Sequence, residues 1–253
     1  MSAKRLLILS LAGATLLASG FLLGRLWQKT PPVAAVHEEL VGRQTDAALV
    51  HRLLEEDLDH RLFPFSAVVE ATSGKRVIPL DESDVHRTVK SAIEAALDKS
   101  LIPLSADDSP VRQLRRINEA SRFFEDALHA SINATPGLRC EVPPNRRGES
   151  QRSGYPDLKI THLASGTVFY LDPKLVEQGS WTSTLRTFYF EPKDETLKIN
   201  DDAIHLLCGI EHDGHDGEWK FIGWKLVDLS KLQVRLKAEF QASNADMYGD
   251  GKK

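Results

Sequence analysis

Residues 155–175 constrain this chain more than any other stretch. They read Tyr-Pro-Asp-Leu-Lys-Ile, then a polar turn, then Thr-Val-Phe-Tyr-Leu-Asp-Pro-Lys-Leu. Two short apolar runs separated by Ala164-Ser165-Gly166 predict two strands joined by a turn. Asp157 stands at the start of the first strand, and Asp172 and Lys174 near the end of the second. Side chains two apart on a strand share a face, so Asp172 and Lys174 point the same way. The hairpin can bring Asp157 beside them. Paired carboxylates repel, and a hard divalent cation between them is the simplest reason to gather two at one sheet edge.

A second constraint lies upstream. Ser109-Pro110 is a good helix start, with Ser as the cap and Pro at the first helical position. The helix predicted from there runs to about Asn133, before Pro136-Gly137. Its core face is Leu114, Ile117, Ser121, Phe124 and Leu128. Asn118, Arg122, Glu125 and His129 form a polar strip along the edge of that face. A carboxylate at Glu125 could reach the end of a sheet packed beneath.

Pro156-Asp157 followed by Asp172-Pro173-Lys174, on adjacent strands after such a helix, resembles the PD-(D/E)xK nuclease superfamily. The resemblance covers about residues 110–242. It implies a restriction-endonuclease-like α+β or α/β fold, a mixed central sheet flanked by helices. It implies Asp157, Asp172 and the backbone carbonyl of Pro173 as ligands for Mg²⁺ or Mn²⁺, with Lys174 as the third catalytic side chain and Glu125 as an acidic contribution from the helix. The implied substrate is DNA, cut by metal-dependent phosphodiester hydrolysis, and a homodimer is one assembly open to such a protein. Pro173 departs from the ordinary pattern. Lacking an N–H, it requires the strand there to be unpaired on one side or bulged.

Charge bears on the substrate. The net charge of −4 makes no global case for nucleic acid. From Pro110 to Ile160, however, nine Lys/Arg stand against six Asp/Glu. That local excess beside the motif could hold a phosphate backbone, or be a solvated face. Arg122, Arg146, Arg147, Arg152 and Arg186 are the candidate nucleic-acid contacts.

The remaining chain reads as follows. An uncharged run over residues 6–24 would span about 28 Å as a helix, close to a bilayer core of about 30 Å. Residues 1–28 therefore read as a membrane anchor or a signal segment, with the following domain slightly favoured on the extracytoplasmic side. Residues 29–36 are a linker, 37–105 a helical region, 106–245 the nuclease-like core and 246–253 a tail. Phe63 to Ile78 reads as a loop or irregular hairpin because of Pro64 and Ser73-Gly74. Ser83 caps a helix that ends before Pro103. Further strands are expected at Leu138–Val142, Leu185–Phe190, Ile204–Ile210, Trp219–Leu229 and Leu232–Phe240. Cys140 and Cys208 read as buried free thiols, with a single bridge as the alternative.

A rival metal site is His205, His212, Asp213, His215 and Asp216, although it lacks the spacing of a zinc hydrolase. The rival function is a non-catalytic α/β binding module tethered to a membrane.

Overall fold

A computed structural model describes residues 46–248 apart from 57, 59, 186, 216, 238 and 240. The proposed anchor at residues 6–24 lies outside these. Among the described residues no helix is long and apolar enough to cross a membrane. The chain divides into two compact units. One holds the two chain ends, with a described helix over residues 46–55 and a short one at Asn244–Tyr248. The other, Leu62–Leu236, holds the sheet and the candidate site.

The second unit is a mixed α+β fold built on a six-stranded sheet. Its strands are β2 (Val77–Ile78), β3 (Leu138–Glu141), β4 (Leu158–His162), β5 (Val168–Glu177), β6 (Ala203–His212) and β7 (Phe221–Asp228). β3, β4 and β5 are antiparallel neighbours, β5 and β6 are parallel, and β7 returns antiparallel on β6. β1 (Leu62–Pro64) and β8 (Gln233–Arg235) form a separate two-stranded ladder. Three helices accompany the strands: α1 (Phe65–Ser73), α2 (Asp84–Ser105) and α3 (Ser121–Asn133).

The period-two pattern of β5 divides the core. Phe169 and Leu171 join the apolar cluster under α2 and α3, with Ile93, Leu97, Phe124 and Leu128. Val168 and Tyr170 join a second cluster with Phe65 and Val69 of α1. Cys140 and Cys208 are buried and unbridged, and burial pushes both thiols up to about 12.

Several elements differ from the sequence-based expectation. Phe63 to Ile78 is not a loop. Phe65 and Val69, four apart, bury one face of α1, and Gly74 ends that helix at φ +70° with its N–H bonded to Glu70. The glycine that suggests a loop is a left-handed helix cap. α2 continues through Pro103 for two more residues before Ala106 closes it on the Pro103 carbonyl. The helix expected from Pro110 begins only at Ser121. Before it come two 3-10 turns, Pro110–Gln113 and Ile117–Ala120. Val111 and Ala120 are both fully buried. Nine residues apart on one α-helix they would face opposite ways, about 180° apart, so the broken path is what lets both reach the core.

Leu185 to Phe190 forms no strand. Its alternation is real as burial: Leu185 and Tyr189 are exposed, while Phe188 and Phe190 pack edge-on against Phe65. Among the described residues no neighbouring strand pairs with it. Of Leu232–Phe240 only Gln233–Arg235 is a strand, with Ala238 and Phe240 outside the described residues.

A candidate metal-dependent cleavage site

The site arises from a mismatch in strand length. β4 pairs with β5 only from Leu158↔Leu171 to Thr161↔Val168. β5 runs on past Leu171 with β6 as its neighbour. Asp172 therefore lies mid-strand rather than near the strand end. Pro173 falls where β4 has already ended, as a proline inside a strand requires.

A cleft of about 470 Å³ opens there, lined among others by Glu125, Arg152, Asp157, Asp172, Lys174 and Tyr189. The Asp172 side chain is 3% exposed and Asp157 15%. The Lys174 ammonium forms a close ion pair with Asp172 Oδ2 and lies 3.8 Å from Asp157 Oδ2. The two carboxyl groups are close enough that the charge of one raises the other.

Burial pushes the Asp157 carboxyl up to about 8, and the neighbouring Asp172 charge adds to the shift. Burial pulls the Lys174 ammonium down, but Asp172 and Asp157 outweigh it and the net direction is up. Glu125 is raised by burial. Its carboxylate lies 3.7 Å from Arg152 Nη1, while Arg152 Nη2 donates to Asp126 at 2.6 Å. Glu125, which the resemblance implies as the acidic contribution from the helix, lines the same cleft as Asp157 and Asp172.

Do these groups suit a cation? Among the described residues no three His, Cys, Asp or Glu side chains converge closely enough to cage one by themselves. Asp172 Oδ2 is nevertheless buried without a hydrogen bond, its neighbour being the Lys174 ammonium. A buried carboxylate beside the Lys174 ammonium, a second carboxylate close to it and a donor set made of oxygens fit a hard divalent ion that completes its shell with water.

The other candidates fare differently. Arg152 is on the cleft wall. Arg146 is tied to Asp194 and to the Thr72 carbonyl, and Arg147 to Glu195. Arg122 lies over the Phe123 ring, and Arg186 is outside the described residues. The rival histidine site does not assemble. His205 is buried against Tyr155, sharing a hydrogen bond of 2.9 Å, and burial lowers it to about 3. His212 and His215 serve their own turn, and Asp216 is outside the described residues.

Sequence reasoning missed the segment that braces the Asp157 turn. Gly154, at φ +87°, lies so close to Thr196 that a Cβ would stand 2.1 Å from the Thr196 carbonyl oxygen. Lys198 donates its backbone N–H to the Tyr155 carbonyl. Its ammonium, fully buried and pulled down by that burial, donates to the Arg152 carbonyl at 3.3 Å. The one available signal was a lysine flanked by apolar Leu197 and Ile199.

Comparison with known proteins decides the family. Residues 58–251 match the model described as Type II restriction enzyme MjaV family. The chain belongs to the MjaV type II restriction enzyme family. A relative, Type II restriction enzyme MjaV from Methanocaldococcus jannaschii, is 28% identical over 199 residues, covering 73% of this chain and 84% of its own length. The matched region of this MjaV-family chain takes in the whole Leu62–Leu236 unit and every cleft residue named above.

Proposed function

We propose that the protein is a Mg²⁺- or Mn²⁺-dependent DNA endonuclease of the PD-(D/E)xK type. Family membership supports restriction-type DNA cleavage as the reaction class. The observation that carries the residue assignment is the meeting of Asp157, Asp172 and Lys174 at one cleft wall. A bound divalent ion would supply Lewis acidity and activate water for attack on phosphorus. Asp157 and Asp172, with the Pro173 carbonyl, would hold that ion. Lys174 would place its ammonium against the non-bridging oxygens, where negative charge grows during displacement. Glu125 would orient groups from the helix side. Arg152, half exposed at the rim, would contact the phosphate backbone and fix register without reading sequence.

The test is cleavage of plasmid DNA by the purified protein with and without Mg²⁺. Nicking or linearisation is expected only with the ion, and not in Asp172→Asn. Undiminished cleavage by that variant would remove the assignment.

A further inference from the structure

Lys198 is a charge that the proposed chemistry does not use. It is fully buried, and among the described residues it has no ion-pair partner. Its ammonium has one hydrogen bond, to the Arg152 carbonyl. Taking an ammonium out of water costs several kcal/mol when no partner compensates it. A methionine of similar length would fill the same space without that cost. Packing therefore does not account for the residue.

Its connections do. Lys198 grips one short turn at both ends, through its backbone N–H on Tyr155 and its side chain on Arg152. Between those points Gly154 abuts the Thr196 carbonyl, leaving no room for a side chain. The same turn is tied to α3 by Arg152, and into the core by the Tyr155–His205 hydrogen bond. Asp157 follows Tyr155 by two residues, so the position of its carboxylate follows from that of the turn. Burial pulls the ammonium down, and the acids of the cleft, Asp157, Asp172 and Glu125, offset only part of that pull. Lys198 is not on the cleft wall.

We propose that Lys198 is a positioning residue: a buried ammonium that fastens the Arg152–Asp157 turn and so holds the Asp157 carboxylate against Asp172. It acts through the turn and touches no substrate. The kinetic part of this inference rests on the proposed nuclease function; the structural part does not.

The experiment compares full-length wild type with Lys198→Met by amide hydrogen exchange and by cleavage kinetics. Exchange over residues 152–157 should accelerate by roughly tenfold or more while β5 and β6 keep their protection, a local opening rather than a global one. With the catalytic geometry loosened, kcat should fall roughly 10–100-fold, the scale for losing a supporting contact. KM for DNA should hold, because no surface contact is lost. Unchanged exchange in the turn, or acceleration spread evenly over the sheet, would overturn the proposal, as would a raised KM with kcat unchanged. A wild-type protein that never cleaves DNA would sink the nuclease reading, and the exchange result would still decide the role of Lys198. Should Lys198→Met not fold, Lys198→Gln, too short to keep the Arg152 bond, is read by the same exchange measurement.

Discussion

Two regions of this molecule gather titratable side chains, and they do opposite things with them. The Glu211–Glu218 loop concentrates histidines and acids within a few residues. There His212, Asp213 and His215 satisfy the turn that carries them. Asp213 accepts from the backbone N–H groups of His215 and Lys220 and pairs with the His215 ring. His212 accepts from the Gly214 N–H. Burial pushes the Asp213 carboxyl up, but these hydrogen bonds outweigh it and the net direction is down. The cleft instead draws Glu125, Asp157, Asp172 and Lys174 from a helix, a turn and a strand. Its carboxyls at Asp157 and Glu125 are raised, and Asp172 is buried against the Lys174 ammonium. Charges that are close in sequence relieve one another locally. Charges brought together by the sheet stay crowded, with raised carboxyls beside the Asp172–Lys174 ion pair, an arrangement that suits a cation.

The sharpest way to break this contrast is to neutralise the centre of the cleft. Asp172→Asn should lower cleavage by at least about a thousandfold, the upper scale for losing one preorganised electrostatic group. It should also abolish Mg²⁺-dependent thermal stabilisation, since a ligand stabilises only the state that binds it. Plasmid cleavage and thermal melts check both.

Gly154→Ala should come next. The added Cβ meets the Thr196 backbone at a positive φ, so urea unfolding should show a loss of more than about 2 kcal/mol. Glu125→Gln should reduce cleavage roughly 10–100-fold with the fold intact, measured as kcat at saturating Mg²⁺.

A smaller effect lies in pH. The folded state keeps His205 near 3 against an ordinary 6.5, because burial disfavours its charged form. Between those values the unfolded chain binds more protons, so this group makes stability rise with pH across the window and fall away as pH drops. Comparing His205→Gln with wild type by urea unfolding from pH 4 to 7 should show that slope reduced in the variant. Smallest of all, His215→Ala should leave cleavage within about twofold and stability within about 0.5 kcal/mol, as for an ordinary surface substitution. A large loss there would dissolve the contrast between the two regions.

Legibility from sequence followed range. The hairpin of β4 and β5 and its Gly166 turn could be read because strand periodicity and turn chemistry are local. The sequence also marked Leu185 to Phe190 as alternating. It could not show that its partners would be the aromatic rings of α1 and the Asp157 turn instead of another strand. The sequence predicts one helix from Pro110, and the structure breaks it because the burial of both Val111 and Ala120 is a tertiary demand that helical periodicity cannot express.

The sequence by itself determined that Asp172 and Lys174 share a face, because alternate residues on any strand do. It also placed Asp157 at the entrance to the preceding strand, where the structure has it in the turn one residue before β4. Only the tertiary structure decided that β4 would stop short of Asp172 and leave a cleft, that Glu125 and Arg152 would line it, and that Lys198 would be buried behind the Arg152–Tyr155 turn. The reason is physical. Periodicity fixes the direction of a side chain from its near neighbours, whereas the electrostatic surroundings of a carboxylate depend on segments tens of residues away, placed by burial of a shared core.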